Sequence, residues 1–253
     1  MHRAWIVLGS ILTVGAIGFG TAQAVSLLAH EETTETATFA AADITELDIA
    51  SANGTIEIDG GDVEEITVVA EISHGLRPTG HRARVEGSRL VIRGSCPFLS
   101  TWCATHYRIT VPAGLTVDAS TDNGRLSISD VTGTVLADSD NGRVELVRLT
   151  GDVIASTDNG RLVGTGLRSG SVDVDSDNGS VSLTFAAPPS IVSATSDNGR
   201  VEVVVPDTTD TYRVDLQTDD GATDVGVRTD PASDRSIHAE SDNGSVTVRY
   251  PTG

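Results

Sequence analysis

The residues of this sequence that could do chemistry are an acidic set and a basic set that recur at nearly constant spacing. The acidic set is an Asp directly before an Asn-Gly pair, and it comprises Asp122, Asp140, Asp158, Asp177, Asp197 and Asp242. The basic set is an Arg three residues further on, and it comprises Arg125, Arg143, Arg161 and Arg200. If successive copies stack, each set becomes a column of like charges. The carboxylates could then ligate a cation such as calcium, and the guanidinium groups could bind an anionic glycan.

A solvated edge on which each Asp pairs with an Arg across the turn is the alternative. Like charges stacked about 5 Å apart repel by about 1 kcal/mol or less at a wet surface, so such pairing would relieve both columns. The run from Asp173 to Asp177 resembles the start of a calcium loop, but it lacks the correctly placed Gly and the closing Glu. We therefore expect no cofactor and at most weak Ca²⁺ binding.

The same carboxylates suggest an alternative function, a polysaccharide-active β-helix enzyme of the lyase or glycoside hydrolase class. Retaining glycosidases use two carboxyl groups about 5 Å apart. An acid and a base need different pKa values and so different surroundings, whereas identical repeats supply identical surroundings. The sequence contains no Lys and no visible Ser-His-Asp arrangement. We predict a non-catalytic binding, adhesion or envelope-sensing module, with no catalytic residues.

The elements that position these residues are copies of one short unit. The Asn-Gly signature returns at steps of 18 to 23 residues from Asn123 onward, which indicates a structural repeat. In one copy, Val135, Ala137 and Ser139 alternate with polar residues before the turn, and Val144 and Leu146 do so after it. This alternation predicts two strands with one buried face. Asn-Gly suits a turn with positive φ, which Gly adopts freely and Asn tolerates.

Two arrangements of the strands fit this pattern. Asn-Gly between alternating strands is also a hairpin signal, and a barrel or propeller of hairpins would pair Asp140 with Arg143. A meander of about fourteen strands leaves one face uncovered, whereas a solenoid buries its inner faces by stacking. The small Ala, Ser and Thr beside each turn fit a thin coil. We predict an all-β fold, a β-solenoid of 18–23-residue two-strand coils, preceded by one N-terminal transmembrane helix.

The N-terminal segment predicts the location. Residues 4–29 carry no charge and are long enough to span a bilayer as a helix. Arg3 precedes them and an acidic run begins at Glu31, so the positive-inside rule places residues 1–3 in the cytoplasm and the β domain outside. A cleaved signal peptide is the alternative, because Ala22-Gln23-Ala24 resembles a cleavage site. We predict a single-pass cell-membrane protein whose partners are the lipid bilayer, through this helix, and an envelope protein or glycan. The net charge of −19 argues against nucleic acid.

The rest of the chain divides into three predicted parts. Residues 30–42 are rich in Thr, Glu and Ala without periodicity and predict a flexible stalk. Residues 43–115 predict membrane-proximal β coils that carry the Cys pair, and residues 116–253 predict the regular solenoid repeats.

The two cysteines favour an oxidising compartment. A disulfide between Cys96 and Cys103 could close the short span between them. A metal site that adds His106 and His81 is the alternative, although thiols with six residues between them lack the usual zinc spacing.

Taken together, these features resemble the toast-rack, or putative adhesin, β-strand repeat family. They are the short charged tip, the Trp-containing apolar segment, the Cys pair before a strand that ends in Val-Pro-Ala-Gly (Val111 to Gly114), and the serial Asn-Gly strands. The resemblance implies a β-solenoid outside a bacterial membrane, with a role in adhesion or envelope-stress sensing. It implies no active site. The degenerate copy at Asp219-Asp220-Gly221 departs from the pattern and leaves the register there open.

Overall fold

The structure is a computed structural model that describes residues 31–75, 79–97 and 102–252, and in this part the chain is almost entirely β. The strands are β1 (Glu31–Ala40), β2 (Glu46–Gly61), β3 (Glu65–His74), β4 (Gly80–Glu86), β5 (Arg89–Ser95), β6 (Cys103–Pro112), β7 (Thr116–Ser129), β8 (Val135–Val147), β9 (Val153–Leu167), β10 (Ser171–Asn178), β11 (Val181–Phe185), β12 (Ile191–Asn198), β13 (Val201–Val204), β14 (Arg213–Asp220), β15 (Thr223–Gly226), β16 (Ser236–Asn243) and β17 (Val246–Arg249). One turn of 3-10 helix spans Ala41–Asp43. The predicted cytoplasmic tip and transmembrane helix lie outside the described residues. No helix in the described ranges combines the length and apolarity needed to cross a bilayer.

The regular coils stack in parallel, as a solenoid requires. Strands β2, β7, β8 and β9 each run through both arms of a coil, and β8 pairs in parallel with β7 on one side and β9 on the other. Asn141 lies opposite Asn123 and Asn159, and Arg143 lies opposite Arg125 and Arg161. The predicted solenoid is therefore confirmed, and the hairpin alternative, in which Asp140 pairs with Arg143, is wrong.

The interior is a set of aliphatic columns that run along the solenoid axis. Val144 and Leu146 are fully buried, and the equivalent positions of the neighbouring coils are buried as well. The position just before each turn holds a small buried hydroxyl side chain, such as Ser139 or Thr157. Because every coil contributes the same few side chains, stacking alone removes them from water. A core with very few aromatic residues is sufficient for this thin cross-section.

The Gly of each turn is required by the close approach of adjacent coils. A Cβ at Gly142 would lie 1.7 Å from the carbonyl oxygen of Gly124, and one at Gly160 would lie 1.7 Å from that of Gly142. Gly124 also has φ +139°, which disfavours other residues. The turn Asn residues do not share this conformation, since Asp130 and Arg148 are the positive-φ non-Gly residues of the described part. The expectation that Asn serves as a positive-φ residue is therefore wrong, and its role lies in its side chain.

The N-terminal end of the solenoid is covered by antiparallel strands. Strands β5 and β6 form the end coil, which pairs in parallel with β2. Strand β4 then pairs antiparallel with β5, β3 antiparallel with β6, and β1 antiparallel with β3. Of residues 43–115, β2, β5 and β6 belong to coils, whereas β3 and β4 are antiparallel cover strands.

The predicted flexible stalk at residues 30–42 is wrong where the structure describes it. Residues Glu31–Ala40 are strand β1, and its register with β3 runs from Glu31 opposite His74 to Ala40 opposite Glu65. The strand is exposed along most of its length, so it shows no alternation of polar and apolar residues. Backbone pairing and the packing of Phe39 on the core hold it in place. Its Glu-rich outer edge discourages pairing with another chain.

The C-terminal coils do not stack in chain order. The coil of β16 and β17 pairs directly with β12 and β13, and the earlier coil of β14 and β15 lies outside it. The degenerate Asp219-Asp220-Gly221 copy is therefore the last coil, with Asp220 opposite Asn243. Its position explains its sequence, since an end coil has one neighbour and remains exposed.

Candidate functional site

A ladder of asparagine amides runs along the turn edge of the solenoid. The Nδ2 of Asn159 donates to Oδ1 of Asn141 at 3.2 Å, and Asn178 donates to Asn159 at 3.2 Å. Asn198 continues the series to Asn178 at 3.1 Å, and Asn243 to Asn198 at 3.0 Å. We call this series the asparagine ladder. Each amide fixes the turn of one coil against the next, so the charged residues on both sides of the turn are held in register.

The six aspartates before the ladder form a column of exposed carboxylates, which we call the aspartate column. The pKa of Asp140 is raised above its ordinary value by reduced hydration, and then by the negative charges of Asp122, Asp158 and Asp138. The pKa of Asp177 is raised by reduced hydration, and then by Asp158, Asp197 and Asp175. Each carboxylate thus lies near its counterparts in the adjacent coils. The aspartates of neighbouring coils therefore lie side by side and repel one another.

This repulsion predicts how stability depends on pH when one carboxylate is removed. Because the pKa of Asp140 is raised in the folded chain, the folded state binds more protons than the unfolded state between the ordinary carboxylate pKa, about 3.9, and the raised value. Stability therefore falls as pH rises through this window. We expect Asp140→Asn to raise the urea midpoint at pH 7 and to converge with the wild type below the ordinary carboxylate pKa.

The matched control is Asp152→Asn, an exposed position outside the column. It should leave the urea midpoint at pH 7 close to that of the wild type. A midpoint difference for Asp140→Asn that stays constant from pH 7 down to the ordinary carboxylate pKa would contradict the assignment.

The arginines after the ladder, which we call the arginine column, do not pair with the aspartate column. The Nη1 of Arg125 lies 3.8 Å from Oε2 of Glu145, and the Nε of Arg143 lies 3.1 Å from Oε1 of the same residue. The Arg143 Nε–H is not directed at an acceptor, so this contact is an ion pair without a hydrogen bond. No ion pair in the described ranges joins the two columns. The expected pairing across the turn is not formed, because the arginines point along the outer face of the second arm.

The Cys pair links the two strands of the N-terminal end coil, β5 and β6. Cys96 and Cys103 are joined by a disulfide with a Cα–Cα distance of 5.7 Å, which confirms the predicted bond. The Nδ2 of Asn53 lies 3.1 Å from Sγ of Cys96, so the disulfide contacts the turn of the neighbouring coil. It joins the two arms of an end coil that has no Asn-Gly pair.

The alternative metal site at the Cys pair is not assembled. Both sulfur atoms are used in the disulfide. The Nδ1 of His106 accepts a hydrogen bond from the backbone N–H of Thr55 at 3.2 Å, and the Nδ1 of His81 lies 3.0 Å from the Tyr107 hydroxyl. No group of three or more His, Cys, Asp or Glu side chains within the described residues is arranged to hold a metal ion.

The solenoid and both charged columns lie within a region that matches a known protein family. A sequence model of one family matches residues 44–252. The chain belongs to the Toastrack DUF4097 family. The resemblance that the turn signatures suggested is therefore confirmed. No curated protein matches the sequence.

Several solved structures align with the chain at low identity. A protein from Bacteroides fragilis NCTC 9343, described as a putative adhesin, is similar with a TM-score of 0.51 and 13% identity, over 87% of this chain and 97% of that chain. A putative cell adhesion protein from Clostridium sporogenes ATCC 15579 aligns with a TM-score of 0.38 and 14% identity, over 87% and 100%. A putative lipid binding protein from Parabacteroides distasonis ATCC 8503 aligns with a TM-score of 0.28 and 13% identity, over 87% and 95%. The first of these likenesses shows the fold alone.

Two carboxylates of the toast-rack edge have pKa values that are shifted in the same direction. The pKa values of Asp140 and Asp177 both move upward for the same reasons. A glycosidase pair instead has one carboxyl group with a raised pKa and one that stays ionised. Asp140 and Asp177 therefore do not differ from each other in the way that such a pair does.

Two features of this edge were not predicted from the sequence. The first is Glu145, which lies two residues after Arg143 on the same outer face and draws Arg125 and Arg143 toward it. The alternation of the strand, combined with the charge of Glu145, could have predicted this contact. The second is the amide ladder, since the Asn-Gly pairs were interpreted only as turns. Seven Asn residues at one repeat position were the available signal.

Proposed function

We propose that this toast-rack domain is a non-catalytic binding module outside the cell membrane, which acts in adhesion to, or sensing of, the cell envelope. Its partner is an envelope protein or glycan, and its charged turn edge is the contact surface. The observation that carries the proposal is the exposed edge itself, on which the asparagine ladder fixes two columns of charge in register. Many equivalent groups at one coil spacing, about 4.8 Å, favour an extended or repetitive partner that engages several of them together.

Two features of the chain support the location. Residues 4–29 form an uncharged segment long enough to anchor the chain in a bilayer. The disulfide between Cys96 and Cys103 is of a kind that persists in oxidising compartments. The fold shared with the Bacteroides fragilis protein described as a putative adhesin is consistent with an exterior binding role.

The binding role can be tested with the full chain purified in detergent and immobilised on beads. We expect the beads to retain delipidated envelope fragments of the source cell, and to lose them when the chain is unfolded in urea beforehand. Beads that carry an unrelated protein of equal negative charge are the control. Retention no greater than this control would overturn the proposal. Release of new reducing ends or unsaturated sugars from the fragments would instead favour the polysaccharide-active enzyme.

The location can be tested through the disulfide. Thiol-blocking reagent added to intact cells before lysis, followed by mass spectrometry of the chain without reduction, should find Cys96 and Cys103 joined. Two blocked thiols in freshly trapped cells would contradict an exterior β domain.

A further inference from the structure

The arginine column is interrupted at one coil. Arg125, Arg143 and Arg161 occupy successive coils, Ser180 takes the equivalent place in the next, and Arg200 resumes the column. The carbonyl oxygen of Ser180 accepts from the N–H of Leu162 at 3.0 Å, which keeps this position in register. Two coil spacings separate Arg161 from Arg200, so their backbones lie about 10 Å apart. The missing side chain leaves a gap between two guanidinium groups.

An open groove of about 450 Å³ occupies this gap. Arg143, Arg161 and Arg200 line it, together with Ser180 and Ser182. The outward-facing Val163 adds an apolar surface to the lining. The groove therefore combines cationic donors, hydroxyl groups, one apolar patch and one carboxylate, that of Glu202.

The guanidinium groups of this groove are available to a ligand. Within the described ranges, neither Arg161 nor Arg200 makes an ion pair or a side-chain hydrogen bond. Arg143 forms an ion pair with Glu145 through its buried Nε, and 41% of its side-chain surface remains exposed. Unpaired arginines are unexpected in a chain with 36 acidic residues, because an exposed carboxylate at a neighbouring position would pair with them.

The carboxylates that face the groove are already engaged. Glu202 accepts from the Nε of Arg249 at 2.9 Å, so its charge is compensated on the side away from the gap. Glu145 lies between Arg125 and Arg143. Three arginines and one carboxylate, that of Glu202, therefore line the groove, and its lining has an excess of positive charge although the chain as a whole is strongly acidic.

We propose that this groove is a subsite for the oxyanion of an acidic glycan, held by Arg143, Arg161 and Arg200. Arg forms paired hydrogen bonds with carboxylate and phosphate groups. Ser180 and Ser182 supply hydroxyl groups for the sugar, and Val163 packs against the apolar face of a pyranose ring. The arginine column runs along the solenoid axis, so an extended chain bound to it would lie across successive coils. The inference rests on the proposed binding function and specifies its ligand.

A glycan fits the groove better than a nucleic acid does. The lining contains no aromatic side chain on which a base could stack. A polyphosphate backbone would also meet the aspartate column and a net charge of −19, which oppose its approach. A glycan of uronic acids adds hydroxyl groups and apolar ring faces to its carboxylates, and these match Ser180, Ser182 and Val163 of the lining.

The test uses the full chain in detergent and isothermal titration at low salt with oligogalacturonate, its fully methyl-esterified form and inorganic phosphate. We expect oligogalacturonate to bind and the neutral ester not to bind, with affinity falling as salt is added because the contacts are ionic. The variant Arg161→Ser/Arg200→Ser should bind at least about 10-fold more weakly. Ser already occupies this column at positions 180 and 245, so the coil accepts the substitution.

The matched control is Arg82→Ser/Arg168→Ser, which removes the same charge at exposed positions outside the groove. It should change the affinity by less than about 2-fold. The variant Ser180→Arg separates a shaped subsite from general attraction, since it adds positive charge but fills the gap. Weaker binding by Ser180→Arg supports the subsite, and tighter binding overturns it. Equal losses in the two double variants, or equal binding of the ester, would also overturn it.

The remaining outcomes distinguish this inference from the proposed function. Phosphate that binds with the affinity of oligogalacturonate would show a small-anion site and overturn the glycan assignment. If neither probe binds while envelope fragments are still retained on beads by the wild type and by Arg161→Ser/Arg200→Ser, the subsite is wrong and the binding module stands. If oligogalacturonate binds in the groove but fragments are not retained, the proposed envelope-binding function fails.

Discussion

A carboxylate introduced at Val248 is expected to destabilise the domain by on the order of 4 kcal/mol, because it would be buried without a partner. Val248 is fully buried and lies opposite Val203 on one side and Val225 on the other. A loss of this size is a large part of the total stability of an ordinary domain. The variant Val248→Asp should therefore show a much lower urea midpoint, followed by far-UV circular dichroism.

The same substitution at Val225 is the control that makes the result informative. Val225 occupies the equivalent place in the end coil, and 45% of its surface is exposed. We expect Val225→Asp to change stability by less than about 1 kcal/mol, as at other surface positions. If the coils stacked in chain order, Val225 would be the inner residue and Val248 the outer one, and the two effects would be exchanged. An exchange would contradict the observed order.

This order shows where sequence reasoning reached its limit. The alternation around Asn141 predicted the strands, their inward faces and the parallel stack, because each of these depends on local geometry and on a repeat that any coil can satisfy. Which coil stacks on which depends on contacts between units that look alike. The exposed, acidic character of the copy at Asp219-Asp220-Gly221 was the visible signal, since an end coil has one neighbour only.

The strands that cover the N-terminal end could not be predicted for a similar reason. Strand β1 is exposed on both faces, so its sequence lacks the alternation by which strands are recognised. Its Thr residues favour extended backbone, but the composition also fits a solvated linker. The antiparallel pairing with β3 makes this segment a strand and not a linker. That pairing is a tertiary contact, and no local sequence pattern predicts it.

Only part of the candidate site could be predicted from the sequence. The two charged columns were predictable, because a fixed repeat places equal positions at equal heights. Whether the aspartate column pairs with the arginine column could not be predicted, since this depends on the direction in which each side chain leaves the turn. Glu145 attracts Arg125 and Arg143 along the second arm, and the aspartates are left to repel one another. The gap at Ser180 can be recognised as a groove only when the stacking of the coils places Arg161 and Arg200 on its two sides.

The substitution Gly142→Ala tests the stacking of the coils at their closest approach. Its new Cβ would lie 1.7 Å from the carbonyl oxygen of Gly124 and 2.8 Å from the carbonyl carbon, so the two coils would have to separate. Because both atoms belong to the backbone of paired parallel strands, no side-chain rotation can relieve the clash. We expect a loss of about 3 kcal/mol, at the upper end of what overpacking costs, measured from the urea midpoint.

The control is Gly170→Ala, since a Cβ there has no atom within 4 Å; it should change stability by less than about 0.5 kcal/mol. In a hairpin the turn glycine would face solvent, and its replacement would cost only about 1 kcal/mol. A small and equal effect of the two substitutions would therefore contradict the stacked turn. A large effect at Gly142 alone would show that the stability of the charged edge depends on the contact between successive turn backbones, which fixes the spacing of every side chain on that edge.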